Sequence, residues 1–378
     1  MARRGIDPPG RKARRTGAVF MALAAMTALA AGAPAQPASR PESRRAQHLP
    51  HHREAAKLIK QLELPSRRAD AVNKLLRLGK DAAPDLGRAL HDPRPDVVLC
   101  VAQMLRMLGP DAKPALADMQ QLLKSSDKKL ANAARYAMSG VSPAGITVVP
   151  VYDKGELREL DDKGNTLRTI TNLPTIFSAR RLVNGNYLVC LINQSTVKEI
   201  NAKGDEVWIR KDVSMPAEAK RLPNGNTLIC ESRKNRVIEV DSKNKVVWEY
   251  KSRGPYDADR LPSGNTLISD YTGHRVIEVN AKGKIVWKLT GIRGAISAER
   301  LPNGNTLICE MSARRAREVD GKGNTVLEIK NLTHPYAALR LPNGHTLVAS
   351  TMGVSEYDKK GKRVWNKTLG VIPTLERY

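Results

Sequence analysis

The chain has 378 residues and a formal net charge of +25, with 63 lysines and arginines against 38 acidic residues and only four cysteines. This length accommodates two ordinary domains, each able to bury its own core. The charge favours salt-dependent contact with polyanions, and a soluble surface rich in lysine turns is the simpler alternative. Four widely separated cysteines do not suit a disulfide scaffold, so the composition excludes that class.

Residues 1–35 have the features of a secretion signal. Six basic residues precede an apolar run over 16–32, and Ala33-Pro34-Ala35 offers a small-residue cleavage site. We predict cleavage after Ala35 and export of the mature chain, which keeps a formal charge of +20 because the leader takes away six basic residues and one acid. The apolar run is near the lower limit for a membrane span, so a retained anchor is the alternative.

Residues 36–52 contain three prolines and several arginines and are predicted to be a flexible linker. From residue 53 to residue 140, apolar residues recur at helical spacing. Segments ending at Gly79, Gly109 and Gly140 repeat with a period of 30 to 31 residues. This period predicts a stack of helix pairs.

The stretch LGKDAAPDLGRALHDPRPDVVLCVAQMLRMLG resembles a HEAT repeat, as does the copy that follows it, and a degenerate copy precedes Gly79. HEAT units generally serve as binding scaffolds, so the resemblance implies a contact with another protein. A stack this short can instead simply pack against the rest of the chain. Residues 53–140 are therefore predicted to be a short α-helical HEAT-like solenoid, with both roles open.

From residue 141 the pattern changes to short β-rich runs separated by turns. The string RLPNGNTLI, or a close variant, recurs at spacings of 39 or 40 residues, and VSPAGITVV at Val141 is a weaker sixth copy. The five clear copies begin at Arg181, Arg221, Arg260, Arg300 and Arg340. Lys-Gly or Lys-Asn turns recur with the same count. Each unit is predicted to contain four strands, A to D, and residues 141–378 to form a six-bladed β-propeller.

Three features of the repeat indicate packing rather than chemistry. Trp208, Trp248, Trp287 and Trp365 share one slot in strand D, which favours packing between blades. Cys190, Cys230 and Cys309 share a slot on different blades and Cys100 lies in the helical domain, so all four are predicted to be unpaired and buried. The first unit lacks a strand A, and we predict that residues 375–378 supply it and close the ring.

The combination of LPNGNTLI with VIEVNAKGKIVW resembles the quinoprotein-like (PQQ-like) propeller repeats, and its first element is also similar to repeats of bacterial arylsulfotransferases. The resemblance covers residues 141–378. It implies the fold rather than an activity, because propellers host many unrelated functions.

The two faces of such a propeller differ in this sequence. The A–B and C–D turns are nearly identical among the blades and form what we term the uniform face, whereas the B–C and D–A connections differ and form the variable face. Variation among copies marks the variable face as the place for specialised binding. Its aromatic and basic residues suit an acidic or sugar-like ligand. The candidate ligand-binding residues are Tyr256, Asp257, Tyr271, His274, Arg293, Arg314, His334 and Tyr336.

Several repeated acids are interpreted as structural. Glu231, Asp270 and Glu310 end strand B at one position and suggest a cation site, but an arginine follows each of them five residues later. We therefore predict acid–arginine pairs and no metal. The recurrent glutamates of strand C and the recurrent arginines that end strand A are likewise structural, since they occur on nearly every blade. The glutamates are Glu199, Glu239, Glu278, Glu318 and Glu356.

Enzymatic interpretations find little support. Quinoprotein dehydrogenases need an adjacent cysteine pair and calcium-ligating carboxylates, and the sequence matches neither, so no cofactor is predicted. Arylsulfotransferases use a histidine nucleophile, which needs an orienting neighbour and cations to hold the sulfate. His274 and His334 are the variable-face candidates, with Arg293 and Arg314 as cations, whereas His345 lies in a uniform turn.

The sequence therefore predicts an exported, non-catalytic binding or scaffold protein whose variable face contacts a protein or an acidic polysaccharide. Export argues against nucleic acid as a partner, and no transmembrane span is expected after signal cleavage. A sulfuryl-transfer enzyme using His274 or His334 is one alternative. A structural component of the cell envelope is another.

Overall fold

The computed structural model describes residues 42–141 and 145–378, apart from the side chains of residues 42–50, 65 and 69. The predicted signal peptide and its cleavage site lie outside the described residues. Six α-helices come first. They are α1 (Glu42–Gln61), α2 (Pro65–Leu78), α3 (Ala83–Ala89), α4 (Pro95–Leu108), α5 (Leu116–Leu122) and α6 (Lys128–Met138).

Helix α1 corrects one expectation, because it begins within the segment predicted to be a flexible linker. Residues 43–49 contain no glycine or proline and several good helix formers, so local propensity allows a helix there. Elsewhere proline and glycine set the helix ends as predicted. Pro65 and Pro95 open α2 and α4, where a missing backbone N–H costs nothing. Gly79 and Gly109 follow these helices with φ of 59° and 56°.

The helices share one apolar core. Leu75, Val101, Leu105, Met119 and Ala133 are fully buried in it. Helix α2 packs on α4, and α4 packs on α6, so successive helix pairs lie side by side. The helical region predicted from the period is therefore present, and its assignment to HEAT repeats stays a prediction.

The rest of the chain forms six four-stranded antiparallel sheets, the blades of the predicted propeller. Blade 1 contains β1 (Thr147–Val151), β2 (Glu156–Leu160), β3 (Thr166–Ile170) and β24 (Glu376–Arg377). Blade 2 contains β4 (Ile176–Arg181), β5 (Tyr187–Leu191), β6 (Thr196–Ile200) and β7 (Glu206–Arg210). Blade 3 contains β8 (Pro216–Arg221), β9 (Thr227–Glu231), β10 (Arg236–Val240) and β11 (Val246–Lys251).

Blades 4 to 6 repeat the arrangement. Blade 4 contains β12 (Pro255–Arg260), β13 (Thr266–Asp270), β14 (Arg275–Val279) and β15 (Ile285–Thr290). Blade 5 contains β16 (Ala295–Arg300), β17 (Thr306–Glu310), β18 (Arg315–Val319) and β19 (Thr325–Ile329). Blade 6 contains β20 (Pro335–Arg340), β21 (Thr346–Ser350), β22 (Gly353–Tyr357) and β23 (Arg363–Thr368). The first strand of each of blades 2 to 6 is strand A, and strands A surround the propeller axis.

The predicted ring closure is confirmed. Strand β24 is the strand A of blade 1 and pairs antiparallel with β1, with Val148 opposite Glu376. The ring of Tyr378 is 2% exposed and packs in the core between blades 1 and 2. Its hydroxyl donates to Glu159, which also accepts the Tyr187 hydroxyl at 2.6 Å.

The helices pack against the uniform face of the propeller, and residues 44–378 form one compact unit. Arg106 of α4 pairs with Glu376 of blade 1 at 2.6 Å. Arg77 of α2 donates to the carbonyl oxygen of Ser263 in the A–B turn of blade 4 at 3.3 Å. Val183, in the A–B turn of blade 2, is buried in the helical core. Packing within the chain is therefore one role of the helical stack, and a contact with another protein stays a prediction.

Candidate functional site

The repeated charges on the uniform side hold neighbouring blades together. Glu239 accepts hydrogen bonds from Asn224 and Asn226 of its own blade, at 3.0 and 2.6 Å, and from Arg260 of the next blade at 2.8 Å. The guanidinium of Arg260 also lies 5.2 Å from the centre of the Trp248 ring. The indole of Trp248 donates to the carbonyl oxygen of Ala281 in the following blade. The structural interpretation of these residues is therefore confirmed.

The acids at the end of strand B form the predicted pairs. Arg236 lies 2.5 Å from Glu231, Arg275 lies 2.6 Å from Asp270 and Arg315 lies 3.0 Å from Glu310. The three carboxylates are almost completely buried. Buried carboxylates of this kind require a cationic partner, and the arginines provide it. The four cysteines are unpaired and buried, also as predicted.

The two variable-face histidines lie in exposed connections. In the described part of the chain, neither His274 nor His334 has a side-chain hydrogen bond or an ion pair. Their φ angles are 51° and 44°. The backbone N–H of His274 closes the B–C turn by donating to Tyr271 at 3.3 Å, and its carbonyl oxygen accepts from Ile292 of the D–A connection at 2.9 Å. Arg314 occupies the position in the B–C turn of blade 5 that His274 occupies in blade 4, and its φ is 53°. The structure thus gives a backbone role to these positions and no orienting neighbour to either histidine.

An aromatic cluster lies on the propeller axis at the variable face. Phe177 of blade 2 is 5.9 Å from Tyr256 of blade 4 and 6.2 Å from Tyr336 of blade 6, measured between ring centres. Tyr152 and Tyr271 extend the group, at 6.4 Å from Phe177 and 5.1 Å from Tyr256. We refer to these five residues as the axial aromatic cluster. All five side chains are half-buried, so each ring keeps a surface that a ligand can contact.

A β-bulge explains why these rings meet. In the strand A of each of blades 2 to 6 the pairing with strand B skips the second residue, as between Pro255 and Asp257. The skipped residue is Phe177, Tyr256 or Tyr336 in the three blades that contribute rings from strand A. A bulged residue is freed from the regular alternation of a strand and can be directed elsewhere. Here the bulge directs the rings toward the axis.

Of the predicted site residues, the structure brings Tyr256, Tyr271 and Tyr336 together. Asp257 is not on the variable face: it is 8% exposed and accepts from Lys220 at 2.8 Å and from the backbone of Ala298 at 3.2 Å. Because Asp257 follows the bulged residue in strand A, it lies in the wall of the central channel that the strands A surround. Arg293 is exposed on a D–A connection, with no ion pair among the described residues.

Sequence reasoning missed Phe177 and Tyr152. The chain contains only two phenylalanines, and Phe177 aligns with Tyr256 and Tyr336 when the repeats are superposed. That alignment was the available signal. No spacing rule indicates that residues on alternate blades meet at an axis.

The variable face is strongly basic. Six exposed lysines and arginines in its connections have no ion pair among the described residues, whereas the exposed acids of these connections are Asp153 and Asp212. The six are Lys154, Lys211, Arg233, Arg253, Arg293 and Arg314. Burial, reinforced by neighbouring tyrosines, raises the pKa of Tyr256 and of Tyr336, so both hydroxyls stay neutral donors at physiological pH.

Comparison with known proteins places these features in context. A family model described as outer membrane protein assembly factor BamB matches residues 153–290 and 193–338. No curated protein matches the sequence. No helix in the described ranges is long and apolar enough to cross a membrane.

Solved structures resemble the propeller in fold. A protein of unknown function from Bacteroides caccae is 18% identical with a TM-score of 0.53, over 62% of this chain and 98% of that chain. A chain of a nidogen/laminin complex is 12% identical with a TM-score of 0.52, over 61% and 97%. A streptogramin B lyase is 10% identical with a TM-score of 0.46, over 61% and 85%. The sequence match and the six four-stranded sheets together support a PQQ-like β-propeller, a fold that fits a binding or scaffold role.

Proposed function

We propose that the chain is an exported, non-catalytic binding protein whose variable face docks an acidic segment of a partner protein. The axial aromatic cluster is the observation that carries this proposal. It lies at the centre of the face opposite the helical stack. The hydroxyls of Tyr256, Tyr271 and Tyr336 have no hydrogen-bond partner within the described residues.

The rings are not a requirement of the repeat. The slot filled by Phe177, Tyr256 and Tyr336 is filled by Ala217 in blade 3 and Ile296 in blade 5, and those blades have the same four strands. Half-exposed aromatic rings grouped at one point are typical anchors of protein interfaces, where they fill or form pockets for a partner's side chains. The cluster therefore suits an apolar side chain of a partner.

The positive charge of the variable face indicates that the partner segment is acidic. The unpaired basic residues lie in connections of the same face as the cluster, and complementary charge speeds association and selects partners. An acidic segment with one apolar side chain satisfies both features. A protein partner also agrees with the family description, which names an assembly factor.

Export rests on the basic and apolar character of residues 1–35. The measurement is the intact mass of the protein recovered from the extracytoplasmic fraction. A mass that begins at residue 36 supports the proposal. Retention of residues 1–35 in the cytoplasmic fraction contradicts it.

The binding proposal is tested with three labelled peptides: one rich in aspartate and glutamate with a central tryptophan, the same peptide with a central glycine, and a lysine-rich peptide with the tryptophan. Fluorescence anisotropy at 50 and 300 mM salt, values chosen to bracket physiological screening, measures the Kd. We expect the acidic tryptophan peptide to bind most tightly and to weaken with salt. Equal affinity for the tryptophan and glycine peptides contradicts the anchoring role of the cluster.

Two matched substitutions locate the site. Tyr256→Ala is expected to weaken binding about tenfold, which corresponds to about 1.4 kcal/mol. Tyr250→Ala removes a similar ring from strand D, where it stacks on Trp248, and is expected to leave the Kd unchanged. Likewise Arg253→Glu with Arg293→Glu should weaken binding more than Lys203→Glu with Lys243→Glu on the uniform face. Equal losses would exclude the variable face as the binding surface.

A further inference from the structure

A second feature, on the other side of the propeller, concerns the end of the central channel beneath the helices. A cavity of about 350 Å³ lies between α4, α6 and the strands A of the blades. Its helical wall includes Met107 and Tyr136, and its propeller wall includes Leu339 and Leu375. This volume is within the range of small-molecule sites.

The arginines that end strand A do not provide charge to the cavity. Arg260 pairs with Glu239 at 2.8 Å and Arg300 pairs with Glu278 at 2.9 Å, both on the preceding blade. Arg340 pairs in the same way with Glu318 at 2.7 Å. The charge balance of the cavity therefore depends on the residues deeper in strand A and on α4.

Each of the three cations there already has a carboxylate partner. Arg106 pairs with Glu376 at 2.6 Å. Arg180 pairs with Glu218 at 2.5 Å. Lys220 is shared between Asp257 at 2.8 Å and Asp259 at 2.6 Å. The three cations are thus paired with four carboxylates, and Glu299 is a fifth carboxylate.

Glu299 is the carboxylate left over. Its one hydrogen bond among the described residues comes from the backbone N–H of Arg340 at 3.1 Å, and it has no ion pair there. Burial, and then the charge of nearby Asp259, raise the pKa of Glu299 to about 7, against the opposing effect of the Arg340 N–H. A cation placed beside Glu299 and Asp259 would stabilise both carboxylates.

The other side of the cavity is apolar. Leu339 occupies in blade 6 the strand A position that Glu299 occupies in blade 5, and Ala337 and Leu375 lie on the same wall. A Cβ atom built at Gly304, in the A–B turn of blade 5, would meet no atom within 4 Å, so the space beside this turn is open. In blades 2 and 4 the equivalent glycines, Gly185 and Gly264, have Asn132 and Asn73 of the helices beside them.

We propose that this cavity binds a small organic cation, a primary amine or guanidine carried on a short aliphatic chain. The charged group lies between Asp259 and Glu299, and the chain lies against Leu339 and Leu375. This site is separate from the variable face, and neither proposal depends on the other.

The test uses pentylamine as the cationic probe, with pentanol and pentanoate as neutral and anionic controls, in calorimetric titrations of the full chain at pH 8. We expect pentylamine to bind and the controls not to bind. Glu299→Gln keeps the shape of the side chain and should weaken pentylamine binding at least tenfold. Glu206→Gln, at an exposed position of strand D, is the matched control and should leave binding unchanged.

Two further measurements separate a lost site from a misfolded variant. Leu339→Trp fills the cavity without removing a carboxylate and should also abolish binding, with an unchanged circular dichroism spectrum. At pH 5.5 the wild-type affinity should fall, because Glu299 is then mostly protonated. Binding that survives Glu299→Gln or Leu339→Trp, equal binding of pentanol, or no binding of pentylamine at pH 8 would each overturn the proposal.

Discussion

Replacing Tyr378 with phenylalanine tests how the propeller ring is closed. The hydroxyl of Tyr378 donates to Glu159, a carboxylate that also accepts the Tyr187 hydroxyl and lies 2.5 Å from Arg181. Phenylalanine keeps the buried ring and its stacking against Arg181, 4.6 Å from the ring centre. The substitution therefore removes two hydrogen bonds to charged groups, the one donated to Glu159 and the one accepted from Arg181 at 2.7 Å, and it opens no large cavity.

The expected loss follows mainly from the bond to Glu159, because the Arg181 nitrogen keeps Glu159 and the Tyr187 hydroxyl as acceptors in the variant. A hydrogen bond to a charged group contributes about 1.5–3 kcal/mol, so Tyr378→Phe should lower the free energy of unfolding by about 2 kcal/mol. For a domain of this size that corresponds to a fall in Tm of about 4–8 °C. Tyr378→Ala also empties the space of a ring that is 2% exposed and should cost about 3–5 kcal/mol.

The dependence on pH adds a second check. Burial raises the pKa of Glu159, but the hydroxyls of Tyr187 and Tyr378 and the charge of Arg181 outweigh it, so the pKa lies below its ordinary value. A carboxyl with a depressed folded-state pKa stabilises the fold above its unfolded pKa, about 4.3, and loses that contribution as the pH falls through the folded value. The difference between wild type and Tyr378→Phe should therefore shrink in acid.

The assay is urea unfolding followed by the fluorescence of the strand D tryptophans. Tyr336→Phe is the control, because the hydroxyl of Tyr336 has no hydrogen-bond partner in the described part of the chain, and its effect should stay within about 0.5 kcal/mol. If Tyr378→Phe is as neutral as this control at pH 7, the hydroxyl does not contribute to ring closure. Closure would then rest on strand pairing and ring burial alone.

Three further predictions concern buried groups. Because the folded-state pKa of Glu299 is raised to about 7, ionisation of this side chain opposes folding as the pH rises through that value. Relative to wild type, Glu299→Gln should therefore become more stable between pH 5 and pH 8.5, by at most about 3 kcal/mol. Urea titrations that give the same difference between the two proteins at both pH values would contradict this prediction. Arg275→Met leaves the fully buried Asp270 without its cation and should lower the free energy of unfolding by about 3–5 kcal/mol at pH 7. The control Arg293→Met, at an exposed position without an ion pair, should lower it by less than about 0.5 kcal/mol. Comparable urea midpoints for the two variants would refute the acid–arginine interpretation. Burial raises the pKa of Cys100 to about 12 and raises the pKa of the other three thiols further. All four cysteines should therefore react with a thiol reagent only after unfolding. Fast labelling of the folded protein at pH 8 would instead show an exposed thiolate.

The repeat made most of the propeller predictable. The spacing between copies set the number of blades, and the turn sequences set which segments are hairpins. The pairing of Arg275 with Asp270 followed from comparing copies, because both residues occur together or are both replaced. Closure by residues near Tyr378 followed from the missing strand in the first unit.

The predicted site was only partly correct in its geometry. Tyr256, Tyr271 and Tyr336 meet, but Asp257 lies in the channel wall beside Lys220. One β-bulge separates the two outcomes, since it sends Tyr256 to the axis and returns Asp257 to the regular alternation of the strand. A bulge of this kind leaves no mark in the pattern of apolar and polar residues.

What the sequence by itself determined is therefore local or repeated: the helix ends at Gly79 and Gly109, the four strands of each blade, and the pairs formed within one blade. These depend on turn chemistry and on short chain separations. Only the tertiary structure decided that Phe177, Tyr256 and Tyr336 meet, that the helices cover the uniform face, and that Glu299 lacks a cation. Each of these depends on distances between blades, which the curvature of the closed ring sets and no spacing along the chain encodes.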